Sequence, residues 1–113
     1  MDEGLGNRLF DFAIRVIKNC RKFPKTAEYN IIKTQLIKAS TSTGANYEEA
    51  QGAVSRPDFF NKISIALKEI RESNYWLRIL KEIATVDQEL NYLLKESAEL
   101  KNILGAINSK NKK

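Results

Sequence analysis

Between Asn7 and Phe23, apolar residues return at Leu9, Ala13, Val16, Ile17 and Cys20, three and four positions apart, while Asp11, Arg15, Lys18 and Lys22 fall on the opposite side. The spacing predicts an amphipathic helix over about 7–23. Pro24 should end it, because the residue before a proline is pushed out of the α region and proline has no N–H to donate. A second stripe of Tyr29, Ile32, Leu36, Ala39, Thr43, Asn46, Tyr47 and Ala50 predicts a helix over about 26–54, with Thr26 as its cap. Its middle, "ASTSTGANYEEA", holds Gly44 and several hydroxyl residues, all poorer helix formers than alanine. The stripe crosses this stretch in phase, so the helix is expected to continue, with the small residues marking a close approach of another helix backbone.

Ser55 and Asp58 stand at capping-box spacing, and Pro57 suits the first turn of a third helix over about 57–84. Thr85 and Gln88 repeat that spacing before a fourth, over about 87–108, lined by Leu90, Leu93, Leu94, Leu100, Leu104 and Ile107. The remainder, 109–113, is a polar, basic tail. No segment alternates with a period of two between turn signals, so no strand is expected. Four helices with short connections predict an all-α, antiparallel up-and-down four-helix bundle, one domain over 1–113.

The third helix carries apolar residues on two sides. Ile63, Leu67, Ile70, Asn74 and Leu77 gather on one, and Ile65, Trp76, Ile79 and Ile83 lie almost diametrically opposite. One side can fill the bundle core; the other, with a tryptophan in it, reads as a contact with another subunit. A bundle that wraps the helix on both sides within one chain is the alternative. Glu69 and Glu72 sit in the second set and need partners if buried, which Lys or Arg of a neighbouring helix could supply.

The 113 residues suffice to bury about two thirds of the unfolded surface in one core. A lone cysteine, Cys20, permits no intrachain disulfide and fits a reducing, cytoplasmic setting. The start "MDEGLGNRLF" lacks the features of a secretory signal, and no run of about 18 apolar residues offers a membrane span. Histidine is absent, which removes the commonest general base and nitrogen metal ligand. Glu48, Glu49, Glu69 and Glu72 would suit a carboxylate metal site in a bundle, but its Glu-x-x-His pairs have no counterpart here. Without a histidine base the hydroxyls of "STST" have no activating partner, and no glycine-rich phosphate loop is present. Tyr47, Tyr75 and Trp76 read as packing residues. A non-enzymatic protein without cofactor or metal is therefore expected.

The formal net charge is +5 and the sequence pI about 9.4, which permits attraction to nucleic acid. Arg15, Lys18 and Lys22 form a ridge on the outer side of the first helix; Arg8, Arg21 and Lys25 lie near, and Lys110, Lys112 and Lys113 charge the tail. A solvated face is the plainer reading of such a ridge.

"STGANYEEAQGA" followed by "DFFNKISIALKEIRESNYWL" resembles the signature of the four-helix-bundle family named for proteins encoded in intervening sequences of bacterial 23S rRNA genes. The resemblance runs from "FAIRVIK" to the end of the third helix. It implies family-pattern residues at Gly44, Asn46, Tyr47, Glu49 and Ala50, and at Ser64, Ala66, Leu67, Glu69, Glu72, Tyr75 and Trp76. It further implies antiparallel bundles assembled into homopentameric rings, and an RNA-related role. A related arrangement occurs in the accessory proteins of diversity-generating retroelements. The leading expectation is thus a cytoplasmic homopentamer that binds RNA through Arg15, Lys18 and Lys22. The alternative is a scaffold that meets a protein partner through the Trp76 and Ile79 face or the ring rim.

Overall fold

The computed structural model describes residues 4–111. Four helices follow in order: α1 (Leu5–Cys20), α2 (Ala27–Gln51), α3 (Arg56–Ile83) and α4 (Gln88–Asn108). Each packs against its two neighbours around a square, α1 on α2 and α4, α3 on α2 and α4. Cross-helix pairs fix the directions. Tyr29 Oη donates to Ile83 O at one end of the α2–α3 pair and Lys62 meets Glu49 at the other. Arg15 reaches Glu89 and Arg8 reaches Glu96 along α1 and α4. All four neighbours therefore run antiparallel. The long axis of 45 Å is essentially α3 itself, 28 residues rising about 42 Å.

Caps and breakers set the ends. Thr26 accepts from Tyr29 N, and Ser55 accepts from Asp58 N. The fourth helix departs from expectation: its cap is Asp87, accepting from Leu90 N at 2.8 Å, and not Thr85. A carboxylate is the stronger acceptor at the positive end of a helix. The first helix ends at Cys20, three residues short of Phe23, because Pro24 denies Phe23 a helical conformation and the Phe23 ring stacks on Tyr29 at 5.7 Å. The second ends at Gln51, not 54, with Gly52 as its C-cap. It runs unbroken through "STSTGANYEEA".

The core is built from Leu9, Phe12 and Val16 of α1, Ile32 and Leu36 of α2, Ile63, Ile70 and Leu77 of α3, and Leu90, Leu93, Leu100 and Leu104 of α4. Cys20 is buried among them, and desolvation pushes its thiol up to about 11 against a small opposing effect of Lys33. Buried hydroxyls spend their protons on their own helices: Thr43 on Ala39 O, Ser73 on Glu69 O, Ser97 on Leu94 O. Ser97 also accepts from Asn74 Nδ2 at 2.9 Å, which ties α3 to α4. Asn19 is the exception, since its buried Nδ2 has no hydrogen-bond partner.

The expected close approach at the small residues of α2 occurs at Gly44. A methyl group there would lie 3.7 Å from Leu9 Cβ and 3.7 Å from Leu9 O of α1. Among the described residues no helix is long and apolar enough to cross a membrane.

Candidate nucleic-acid interface

The outer side of α1 is determined by its own period: with Leu9, Phe12, Val16 and Cys20 inward, Asp11, Lys18 and Lys22 must face solvent. Arg8 and Arg15 fall nearer α4, and there they are held. Arg15 Nε and Nη2 form a two-point pair with the Glu89 carboxylate at 2.8 and 2.9 Å, and the guanidinium lies 3.7 Å over the Tyr92 ring. Asp11 approaches it more loosely at 3.9 Å. Arg8 binds Glu96 through Nε and Nη2 and reaches Glu99 at 2.6 Å.

The electrostatics follow from these pairs. Hydrogen bonding to Glu96 and Glu99 raises the Arg8 pKa further, and Glu89 does the same for Arg15. In return, the Arg15 hydrogen bond holds the Glu89 carboxyl below its ordinary range. Burial raises the Tyr92 phenol, with the charge of Glu96 adding to it.

Past that seam, toward the turn after α1, acidic partners become scarce. Lys18, Arg21 and Lys25 are exposed, with no carboxylate within salt-bridge distance among the described residues. Lys22 has only Asp87 at 3.8 Å. These four occupy the C-terminal end of α1 and the turn after it, where positive charge also complements the helix dipole. Arg21, the C-cap, turns toward α2 and lines a groove there, whereas Lys18 and Lys22 face outward. Lys33 of α2 closes the turn by donating to Phe23 O and Pro24 O. Lys110 is exposed at the opposite end of α4 and its carbonyl accepts from Arg56. Lys112 and Lys113 lie outside the described residues.

The residues of the sequence signature have mainly local partners. Asn46 Nδ2 donates to Ser42 O and Oγ. Ala50 is buried, Tyr47 is half-buried against the core and beside Gly6, and Glu49 pairs with Lys62 at 3.0 Å. Ser64 is exposed and bonds Asn61 O. Ala66 is in the core and Leu67 packs against it. Glu72 accepts from Trp76 Nε1 at 3.2 Å, and Glu69 lies 3.8 Å from Lys68. Within the chain both carboxylates find their partners on their own helix. Trp76 and Ile79 are half-buried and packed against the chain's own core, with Tyr75 edge-on to Trp76. Ile65 is half-buried and Ile83 is exposed.

Two features escape a helix-by-helix reading. Glu89, Glu96 and Glu99 gather on the side of α4 that meets Arg8 and Arg15, a spacing of seven and three that the sequence displays. Phe10 and Ile14 stand exposed beside α2, outside the inward stripe of α1. No three carboxylate or cysteine side chains converge in a metal-holding group among the described residues.

The family described as 23S rRNA-intervening sequence protein matches this chain over residues 6–106. A crystal structure from Bacteroides thetaiotaomicron, described as a protein with unknown function from the S23 ribosomal protein family, superimposes with a TM-score of 0.84 at 30% sequence identity. That likeness covers 95% of this chain and 100% of the other. No curated protein matches.

Proposed function

The chain belongs to the 23S rRNA-intervening sequence protein family, and from that premise we propose that it is a non-enzymatic, cytoplasmic RNA-binding protein that grips phosphates through Lys18, Lys22 and Lys25. The observation that carries this reading is the contrast along α1. Arg8 and Arg15 are already spent on Glu96, Glu99 and Glu89, while among the described residues Lys18 and Lys25 have no acidic partner and Lys22 only a distant one. An unpaired exposed cation can neutralise a phosphate and release the counterions condensed on the nucleic acid, whereas a paired arginine must first give up its carboxylate. The subunit is proposed to act as part of a homo-oligomeric ring, five-membered by family resemblance, which repeats the basic end and strengthens its field. The family is not a known enzyme class.

Fluorescence anisotropy with a structured RNA and a matched DNA duplex, each across a salt series, tests the reading. The logarithm of affinity should fall with the logarithm of salt concentration by about 2 to 3 for each subunit engaged, as three neutralised phosphates imply. Replacing Lys18, Lys22 and Lys25 by Glu should abolish binding, and Arg15→Gln should leave most of it. Binding unchanged in the triple variant would sink the assignment. A protein retained on the Trp76 and Ile79 face after nuclease treatment would favour a scaffold role instead.

A further inference from the structure

Asn19 is 2% exposed near the C-terminal end of α1, and its Nδ2 has no hydrogen-bond partner among the described residues. A buried donor left unmet lowers stability, so its presence calls for a reason beyond the fold. Asn19 stands in the wall of a hollow of about 430 Å³ at the end of the bundle, where the α1–α2 turn meets the α3–α4 connection. That size is within the range of small-ligand sites. Phe23, Pro24 and Ile83 give the hollow apolar walls, and Lys22, Thr85 and Asp87 are exposed members of its lining.

The walls are tied down by the chain itself. Lys33 Nζ donates to Phe23 O and Pro24 O, Tyr29 Oη donates to Ile83 O, and the Phe23 ring stacks on Tyr29 at 5.7 Å. A site held in this way loses little freedom when it is filled. Its charges are balanced: Asp87 Oδ1 accepts from Leu90 N, and Oδ2 lies 3.8 Å from Lys22 Nζ. A bare phosphate inside would have to face the Asp87 carboxylate. A flat, uncharged group suits the lining better, with an apolar face for the walls and an edge that offers an acceptor to Asn19 and an N–H to Asp87. An unpaired nucleobase has that form, whereas a base in a duplex has already used its pairing edge.

We propose that this end hollow takes one unpaired base of a single-stranded RNA, with the Asn19 amide donating to the base edge and Lys22 meeting an adjoining phosphate. The inference rests on the RNA reading above and deepens it. Lysines alone favour the denser charge of a duplex; the hollow adds a preference for the single strand.

The test is fluorescence anisotropy of the full chain with a labelled single-stranded RNA of mixed sequence and with the same strand fully paired, each across a salt series. The wild type should bind the single strand about tenfold more tightly, the scale of one base contact. Asn19→Leu fills the wall and Asn19→Ala only removes the amide; both should lose that preference while the salt slope for the strand stays unchanged, because no phosphate contact has gone. Far-UV circular dichroism with cooperative thermal unfolding checks that each variant is folded. If both RNAs bind but the wild type shows no preference, or if Asn19→Ala keeps it in full, the base site is overturned and the lysine reading stands. An amide satisfied by water would give that second result. If a mixture of nucleoside monophosphates binds as tightly as the strand, the occupant is a free nucleotide and the RNA assignment of the hollow is overturned. If neither RNA binds even at low salt, the reading under which this proposal stands falls and takes it along.

Discussion

Replacing Gly44 by alanine should stabilise the bundle, although the residue faces the Leu9 backbone of a neighbouring helix. Gly44 is helical and has no positive φ, so alanine meets no backbone strain there. The methyl carbon would lie 3.7 Å from Leu9 Cβ and O, ordinary van der Waals contact. In a helix interior, alanine is better than glycine by about 0.8–1.0 kcal/mol, chiefly because glycine loses more backbone freedom on folding. Some of this is offset if Leu9 must settle, so a net gain of about 0.5–1 kcal/mol is expected. With 113 residues and about 2.1 cal/mol/K of unfolding entropy per residue, that corresponds to a rise in Tm of about 2–4 °C. Gly44→Leu should do the opposite and cost about 1–3 kcal/mol, because the added carbons have the Leu9 backbone in their way. Urea unfolding monitored at 222 nm, with calorimetric Tm as a second readout, separates the two. A Gly44→Ala variant less stable than wild type would refute the reasoning, as it would place α1 and α2 closer than a methyl allows.

Asn19→Leu should raise the urea midpoint, since it removes an amide nitrogen that is buried without a partner, a deficit of about 1–3 kcal/mol, with part of the gain offset because leucine is bulkier than asparagine; a lowered midpoint would mean that overpacking, or an amide satisfied by solvent, outweighs that deficit. Acid should weaken the α1–α4 seam. The Glu89 carboxyl is depressed by Arg15, so its contribution is fully present above the unfolded value of 4.5 and is lost as pH falls through the lower folded value. Because Glu89 and Arg15 are partly exposed, the pair contributes only about 0.3–1 kcal/mol. Urea midpoints measured between neutral pH and pH 3 should converge for wild type and Glu89→Gln at the acid end, and parallel curves would contradict the pairing.

The helices were legible because α1, α3 and α4 each carry an inward stripe at the right period, and Thr26 and Ser55 cap where the spacing said they would. Thr85 misled because both it and Asp87 stand three residues before a helical position, and only the carboxylate draws the first turn. Gly52 was the available signal that α2 ends before Val54. Propensity argued for a break at "STSTGANYEEA", yet the helix runs through it, and at Gly44 the α1 backbone is near enough that an added methyl would touch Leu9. The wheel opposed Trp76 and Ile79 to the core residues of α3, but a wheel shows directions from one axis and not where the next helix lies. In the bundle those two residues are half-buried and pack against the core.

The basic ridge illustrates the same limit for charge. Counted on α1 alone, Arg8, Arg15, Lys18 and Lys22 read as one cationic stripe. Half of it lies against α4, where Glu89, Glu96 and Glu99 cancel it at hydrogen-bond distance. What a phosphate can meet is the remainder after that cancellation, and it is concentrated at the α1–α2 turn, away from the middle of the helix. The paired arginines then have a different duty. By fixing α1 on α4 they hold the turn that presents Lys22 and Lys25, so Arg15→Gln should act on RNA affinity only through stability, whereas Lys18→Glu should act without touching it. A variant set that showed the reverse would return the contact surface to the seam.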